Sequence, residues 1–329
     1  MTPPDDPIAL HVGDCRAVLP SLGLLADACV TDPPYELPGG FMGKAWDRSG
    51  VSFDPATWAA VLNAVKPGGY LLAFAGSRTQ HRIGCAIEDG GWEVRDTLLW
   101  LYGTGFPKGK GCLKPAYEPI ILARRPGPKV LPLGVDECRV PTDEVGKPRT
   151  DRREDRENWR LGGGSSGSGA KSPAGRYPAN VLHSGEPEVL EAFAAFGDDK
   201  GGRWGKPSAA RSDGYHGDIR PGASQEAAVG DTTGTAARFF YAAKASKKER
   251  GEGNTHPTVK PLSLLRWLVR LACPAGGTVL DCFAGSGTTG RACQEEGRRA
   301  VLIEQDQKYA DTIRKRLSEG RTLFNGGRA

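Results

Sequence analysis

Apolar residues in this chain fall into short runs and helical stripes whose alternation predicts an open α/β sheet. Ala9 to Val12 is a brief apolar strand, followed by Gly13-Asp14-Cys15 and a helix-like run from Ala17 to Leu25. Asp27 to Val30 reads as a buried strand, Tyr70 to Ala75 as another, and Glu93 to Tyr102 and Glu118 to Ala123 as two more. Trp58 to Val65 and Arg82 to Asp89 carry helical spacing, with Lys66-Pro67-Gly68-Gly69 as the expected stop of the first. Further on, Pro261 suits a first helical turn, and Leu262, Leu265, Leu268, Val269 and Ala272 form an apolar stripe behind it. Gly276-Gly277 breaks that helix. Thr278 to Phe283 is then a strand, Ala284 to Gly290 a glycine loop, and a helix follows to about Glu296. Ala300 to Ile303 is the next strand, ending at Glu304, and Tyr309 to Leu317 is a closing amphipathic helix.

Residues 127 to about 235 differ in character. Glycine and proline are frequent there, charges of both signs alternate from Lys147 to Arg160, and Gly162 to Gly169 is only Gly and Ser, as in a flexible linker. Arg176, Tyr177, Arg203, Trp204, Lys206, Arg211, Tyr215, His216 and Arg220 suit nucleic-acid contacts or a solvated loop equally. Phe239-Phe240-Tyr241, leading to Lys244, Lys247, Lys248 and Arg250, reads as a strand entering a basic turn, suited to phosphate or to plain solvent. The chain thus divides into α/β stretches at 1–126 and 236–329 around an irregular insert at 127–235. Its 329 residues suggest about two domains.

Composition narrows the class. Hydrophobic content of 38% and charged content of 25% describe an ordinary globular protein. No apolar run approaches the roughly 20 residues needed to span a bilayer, and the opening Met-Thr-Pro-Pro-Asp-Asp-Pro lacks the basic start and apolar centre of a signal peptide. The eight cysteines are scattered, with no C-x-x-C and no paired Cys/His spacing, which argues against a zinc site and for a reducing cytoplasm. A net charge of +5 permits a polyanionic partner without demanding one.

The candidate chemistry starts at Thr31-Asp32-Pro33-Pro34-Tyr35. Two prolines stop the preceding strand, because neither can donate to a ladder and each fixes its own φ. Each also pushes the residue before it towards extended geometry. The stiff turn holds a carboxylate (Asp32), a backbone carbonyl (Pro33) and an aromatic ring (Tyr35) at a strand's C-terminal end, where open α/β sheets bind ligands. Two acceptors aimed at the two hydrogens of an exocyclic amine pull its nitrogen towards tetrahedral geometry and free the lone pair for attack. Tyr35 offers a face to an unstacked base. A proline-rich turn with an Asp cap is the plain alternative. Phe41 to Asp47, behind Gly39 and Gly40, suits either a mobile flap over a site or a loop anchored by a buried Trp46. Asp14 suits a helix cap.

Gly285, Gly287 and Gly290 spell G-x-G-x-x-G between a strand and a helix, and Glu304 follows Gly285 by 19 residues. That spacing is near the roughly 20 of a dinucleotide fold, so a nicotinamide-dependent oxidoreductase is one reading. The glycines require only a close approach to the backbone and the acid only a diol. S-adenosylmethionine meets both demands.

Asp-Pro-Pro-Tyr at 32–35, His-Pro-Thr-x-Lys-Pro at 256–261, Asp-x-Phe-Ala-Gly-Ser-Gly-Thr-Thr at 281–289 and Glu304, in this order, resemble the β class of DNA amino-methyltransferases. Gly175 to Ser184 and Leu113 to Arg125 are similar to phage- and prophage-borne members, and the likeness covers roughly two thirds of the chain. It implies a doubly wound, mostly parallel, seven-stranded sheet of the class I methyltransferase type, its catalytic half at 1–126, its cofactor half at 236–329 and a target-recognition region at 127–235. It further implies that S-adenosyl-L-methionine is held by a loop of Asp281, Phe283, Ala284, Gly285, Ser286 and Gly287. Thr288 and Thr289 would lie near the methionine end, Thr258 and Lys260 by the carboxylate, Glu304 on the ribose, and Asp14 and Cys15 at the adenine. Asp32, Pro33, Pro34 and Tyr35 would form the catalytic turn.

The expected activity is in-line methyl transfer to an exocyclic amino nitrogen of a base flipped from double-stranded DNA. No metal is expected. The expected setting is cytoplasmic and nucleoid-associated, with restriction–modification systems as the context and a homodimer among the assemblies allowed. C5-cytosine transfer is disfavoured, because no Pro-Cys-Gln occurs; Cys273 precedes Pro274. Asp at the first motif position favours adenine N6, with cytosine N4 as the alternative. Beside the oxidoreductase, the other rival class is a non-catalytic DNA-binding relative.

Overall fold

The computed structural model describes residues 7–103, 105, 111, 113–140, 175–195, 235–243 and 259–325. Outside them lie most of residues 104–112, the charged run 147–160, the Gly/Ser run 162–169, and Arg203, Trp204, Lys206, Arg211, Tyr215, His216 and Arg220. Lys244, Lys247, Lys248, Arg250 and the motif residues His256, Pro257 and Thr258 also lie outside.

The strands are β1 (Ile8–Val12), β2 (Ala26–Thr31), β3 (Val65–Phe74), β4 (Glu93–Leu101), β5 (Tyr117–Arg124), β6 (Val181–His183), β7 (Tyr241–Ala242), β8 (Thr278–Asp281) and β9 (Arg299–Glu304). They form one sheet in the order β1-β9-β8-β2-β3-β5-β4-β6-β7. All neighbours are parallel except β5, which runs against both β3 and β4. Both α/β stretches therefore share one doubly wound sheet, as expected. Among the described residues it has nine strands rather than seven. The extra pair, β6 and β7, adds to the β4 edge in pieces of three and two residues. Such lengths are too short for alternation to reveal.

The core follows from side-chain alternation. Ala28 and Val30 of β2 and Tyr70, Leu72 and Phe74 of β3 face one side of the sheet, under helices α5 (Leu262–Ala272), α6 (Thr288–Glu295) and α7 (Gln307–Asn325). Cys29, Leu71 and Ala73 face the other, under α1 (Cys15–Leu22), α2 (Pro55–Asn63) and α3 (Gln80–Asp89). The stripe on α5 buries Leu265, Leu268, Val269 and Ala272, with Leu262 at its edge. Trp267, off that stripe, is buried as well and stacks on Tyr241 at 5.6 Å. The remaining described helix, α4 (Pro187–Ala194), sends Phe193 against Phe240, ring centres 5.7 Å apart.

Three local expectations need correction. Helix α2 starts at Pro55, capped by the Asp54 carboxylate on the Ala56 amide at 2.9 Å, and ends at Asn63. Lys66 to Gly69 is not its stop but a bulge inside β3, where Val65 pairs with Ala26 and Tyr70 with Ala28. Gly69 fits because an added Cβ would come 2.6 Å from the Asp27 carbonyl oxygen. Lastly, Phe239 closes a short 3-10 turn, and the strand near it is only Tyr241–Ala242.

Candidate functional site

Chain order sends β2 to β3 in one direction across the sheet and β8 to β9 in the other, so the switch point lies between β8 and β2. A cleft of about 1050 Å³ opens there, at the strands' C-terminal ends. Asp32, Pro33, Pro34 and Tyr35 form part of its wall. Asp281, Phe283, Ala284, Gly285, Ser286, Thr288 and Thr289 form another part, joined by Asp14, Cys15, Lys260 and Glu304, while Thr258 lies outside the described residues. Of the loop residues expected there, Gly287 is missing from the wall. It caps the start of α6 from the position before Thr288, with φ 78°, and a Cβ on it would meet Ile313 at 3.0 Å, so it shapes the loop from behind.

The two motifs are tied together. Thr31, the last residue of β2, donates its hydroxyl to Asp281 Oδ1 at 2.7 Å, and both are buried. The Phe283 amide donates to the same carboxylate. Burial pushes the Asp281 carboxyl up to about 6 against these bonds and one from Thr289.

The Asp32 turn is braced from below. Tyr35 O accepts from Thr79 Oγ1 at 2.7 Å, and Pro34 O accepts from Ser52 Oγ at 2.6 Å. Glu36 follows in left-handed geometry, φ 53°. Its carboxylate takes the Gly50 amide at 2.9 Å, while its own amide is held by Asp47. Asp47 is 1% exposed and also accepts from the amides of Phe41 and Leu37. The loop at 36–53 is thus anchored by Asp47, whereas Trp46 is only half-buried and faces the cleft. The choice between flap and Trp46 anchor omitted this carboxylate, whose only sequence signal is an Asp among glycines.

At the far end, Glu304 closes β9 and accepts from the amides of Gly285 at 2.7 Å and Asp306 at 2.8 Å. Burial raises its carboxyl above the ordinary range. Val12, next to Gly13 and Asp14, pairs with Glu304 in the β1–β9 ladder, which brings two carboxylates to adjacent strand ends. Asp14 caps α1 through the Arg16 amide at 2.9 Å and pairs with the Arg16 guanidinium at 2.6 Å, which holds its carboxyl low. It caps the helix and lines the cleft at once. Cys15 and Cys282 line the cleft while remaining almost wholly buried, and among the described residues the cysteines are all free thiols.

Lys260 points to the Asp32 turn. Its Nζ lies 2.6 Å from Asp32 Oδ2, 3.1 Å from Tyr35 OH and 3.2 Å from Glu118 Oε2. Tyr35 OH in turn donates to Glu118 at 2.7 Å. Burial opposes the charge on Lys260, but Asp32 and Glu118 outweigh it and hold the ammonium protonated. Burial and the same two carboxylates push the Tyr35 phenol up, keeping it a donor. Glu118 went unnoticed in the sequence, as did Trp100, Tyr102 and Tyr117, which also line the cleft.

A parallel sheet with one reversed strand, and an acid-and-aromatic turn facing a glycine loop across the switch point, define a class I methyltransferase architecture. The chain belongs to the DNA methylase family, whose model matches residues 26–315. It is 42% identical over 73 residues to the Type II methyltransferase M.HinfI of Haemophilus influenzae, a stretch covering 22% of this chain and 20% of that one. Over 72 residues it is 39% identical to the Type II methyltransferase M2.DpnII of Streptococcus pneumoniae, covering 22% and 27%. These matches span less than a third of either relative. Among solved structures, the PvuII DNA methyltransferase (cytosine-N4-specific) superposes with a TM-score of 0.51 at 14% identity, covering 97% of this chain and 94% of that one. M1.HpyAVI superposes at 0.50 with 18% identity, covering 94% and 98%. At such identities the likeness is one of fold. Among the described residues no helix is long and apolar enough to cross a membrane.

Proposed function

We propose that the chain is a site-specific DNA amino-methyltransferase of the β class. It moves a methyl group from S-adenosyl-L-methionine to an exocyclic amino nitrogen of a flipped base, adenine N6 in preference to cytosine N4. One observation carries this reading: the Asp32 turn and the 281–289 loop line a single cleft and are joined by the Thr31–Asp281 hydrogen bond. The order of motifs, catalytic turn first and glycine loop last, supports the β class.

The cleft suits the cofactor. Glu304 and Asp14 present acceptors side by side for ribose hydroxyls and an adenine amine, and the 285–289 loop lets a ligand approach the backbone. The family resemblance implies that Lys260 and Thr258 lie by the cofactor carboxylate. Lys260 instead contacts Asp32 and Glu118, which speaks for a role at the catalytic turn. When bound, the cofactor supplies an electrophilic methyl on a sulfonium.

The rest of the chemistry belongs to the chain. Asp32 and the Pro33 carbonyl accept the two N–H bonds of the amine, while Tyr35 supports the base. As the nitrogen gains the methyl it gains positive charge, which the fixed carboxylate of Asp32 meets. One N–H proton then passes from the nitrogen to solvent, directly or by way of Asp32, and no covalent bond to the protein forms. The nicotinamide alternative gives the Asp32 turn no task. Double-stranded DNA is the proposed partner, with 127–235 as the target-recognition region; Tyr177 there is 68% exposed, with Arg139 over its ring at 4.1 Å.

The test is to incubate the protein with unmodified plasmid and labelled S-adenosylmethionine and identify the modified nucleoside by mass spectrometry. N6-methyladenine is expected. Asp32→Ala should abolish transfer and leave cofactor binding intact; near wild-type transfer by that variant refutes the mechanism.

A further inference from the structure

Three charged groups meet at the catalytic turn, and the proposed reaction uses one of them. Lys260 Nζ has three acceptors within reach: Asp32 Oδ2, Tyr35 OH and Glu118 Oε2. The ammonium is enclosed, its side chain 11% exposed, between the rings of Phe74 at 4.8 Å and Tyr35 at 5.3 Å. Its short bond goes to Asp32, the longer one to Glu118. An N–H donor at 2.6 Å on Asp32 is what the amine of an incoming base has to become.

The two donors conflict. An ammonium on Asp32 neutralises the charge that the reacting nitrogen needs, and it sets a cation beside a nitrogen that turns positive during transfer. A second carboxylate stands where Lys260 can turn to it. Glu118 holds the Tyr35 hydroxyl at 2.7 Å and lies at the start of β5, which is paired to β3 and β4 and so is fixed. One cation between two carboxylates leaves one negative charge in excess. With Lys260 on Glu118, that charge sits on Asp32.

Resting on the methyltransferase reading above, we propose that Lys260 occupies Asp32 as a surrogate for the substrate amine and is drawn to Glu118 when the base arrives. Glu118 is then a positioning residue for the transfer, acting through Lys260 and Tyr35. Glu118→Gln keeps an acceptor for the Tyr35 hydroxyl but no charge for Lys260, so Lys260 stays on Asp32.

The test measures single-turnover transfer to plasmid DNA at saturating tritiated S-adenosylmethionine, with steady-state KM values alongside. Glu118→Gln should lower the transfer rate by roughly tenfold or more with little change in either KM, the size expected for a charged hydrogen bond. Adding Lys260→Met to that variant should recover part of the rate by removing the competing donor. Glu118→Asp, which retains the charge, should outperform Glu118→Gln even though it strains the Tyr35 contact. The assignment is overturned by a Glu118→Gln rate near wild type, by a double variant no faster than Glu118→Gln, or by Glu118→Asp slower than Glu118→Gln. A wild type that puts no label into DNA sinks the methyltransferase reading and this assignment with it. A labelling wild type with an unaffected Glu118→Gln sinks the assignment alone.

Discussion

Replacing Thr31 with valine removes one hydroxyl and keeps the side chain's shape, which isolates the bond between the two motifs. Thr31 is 1% exposed and Asp281 2%, so water cannot replace the lost donor. A hydrogen bond to an ionised carboxylate contributes about 1.5–3 kcal/mol, a neutral one about 1. Which figure applies depends on pH, because the Asp281 carboxyl titrates at about 6, raised from 3.8 by burial. For an acid raised in the folded state, the stabilisation is full below its unfolded value and is lost as pH rises through the folded value. The Thr31 bond pulls that folded value down, so its removal lifts the value further and costs most where Asp281 is ionised. At pH 8 the variant should lose about 2 kcal/mol, and at pH 5 about 1 or less. At about 2 °C per kcal/mol for a chain of this size, Tm should fall by about 4 °C at pH 8 and by half that or less at pH 5. Thermal unfolding followed by circular dichroism at the two pH values reads this directly. An equal shift at both, or a larger one at pH 5, refutes the assignment of an ionising Asp281 beneath the cleft.

Asp47→Ala should destabilise by about 3 kcal/mol, since it strands the buried-side amides of Glu36, Leu37 and Phe41 together; the urea midpoint should drop, and limited proteolysis should cut earliest within 36–53. Gly287→Ala should cost about 1–3 kcal/mol, from the left-handed backbone and the approach to Ile313, seen as a lower Tm. Leu268→Ala should cost about 2–5 kcal/mol by emptying the centre of α5 against the sheet, measured by urea unfolding. Glu304→Gln should weaken S-adenosylmethionine binding by about tenfold, or about 1.4 kcal/mol, in calorimetric titration, with Tm changed little.

What could be read from the sequence was local. The prolines at 33 and 34 fix a turn without help from the rest of the chain, and the glycines at 285–290 announce a close approach wherever they are placed. The Asp14 cap and the α5 stripe are of the same kind. The bulge in β3 was misread because Pro67-Gly68-Gly69 is good stop chemistry; only pairing with β2, and the Gly68 amide on the Arg125 carbonyl, make it strand. Asp47 was overlooked beside Trp46 because a buried carboxylate is recognised by the amides around it, and these come from residues up to 11 positions away. The contacts of Lys260 lay further beyond reach, as its partner Asp32 is 228 residues distant.

Those 228 residues are bridged by register. Ala28 pairs with Val279 and Cys29 with Leu280, so the ladder brings the ends of β2 and β8 level and sets Thr31 beside the Asp281–Cys282 corner. Alternation enforces that register. Ala28, Val30 and Val279 fill one face of the sheet, and Cys29 and Leu280 the other. A slip of one residue would invert every side chain of β2 and turn Thr31 away from Asp281. The cleft therefore depends on ordinary apolar residues that never touch it. The motifs supply the chemistry, and a two-residue stretch of strand pairing decides whether they meet.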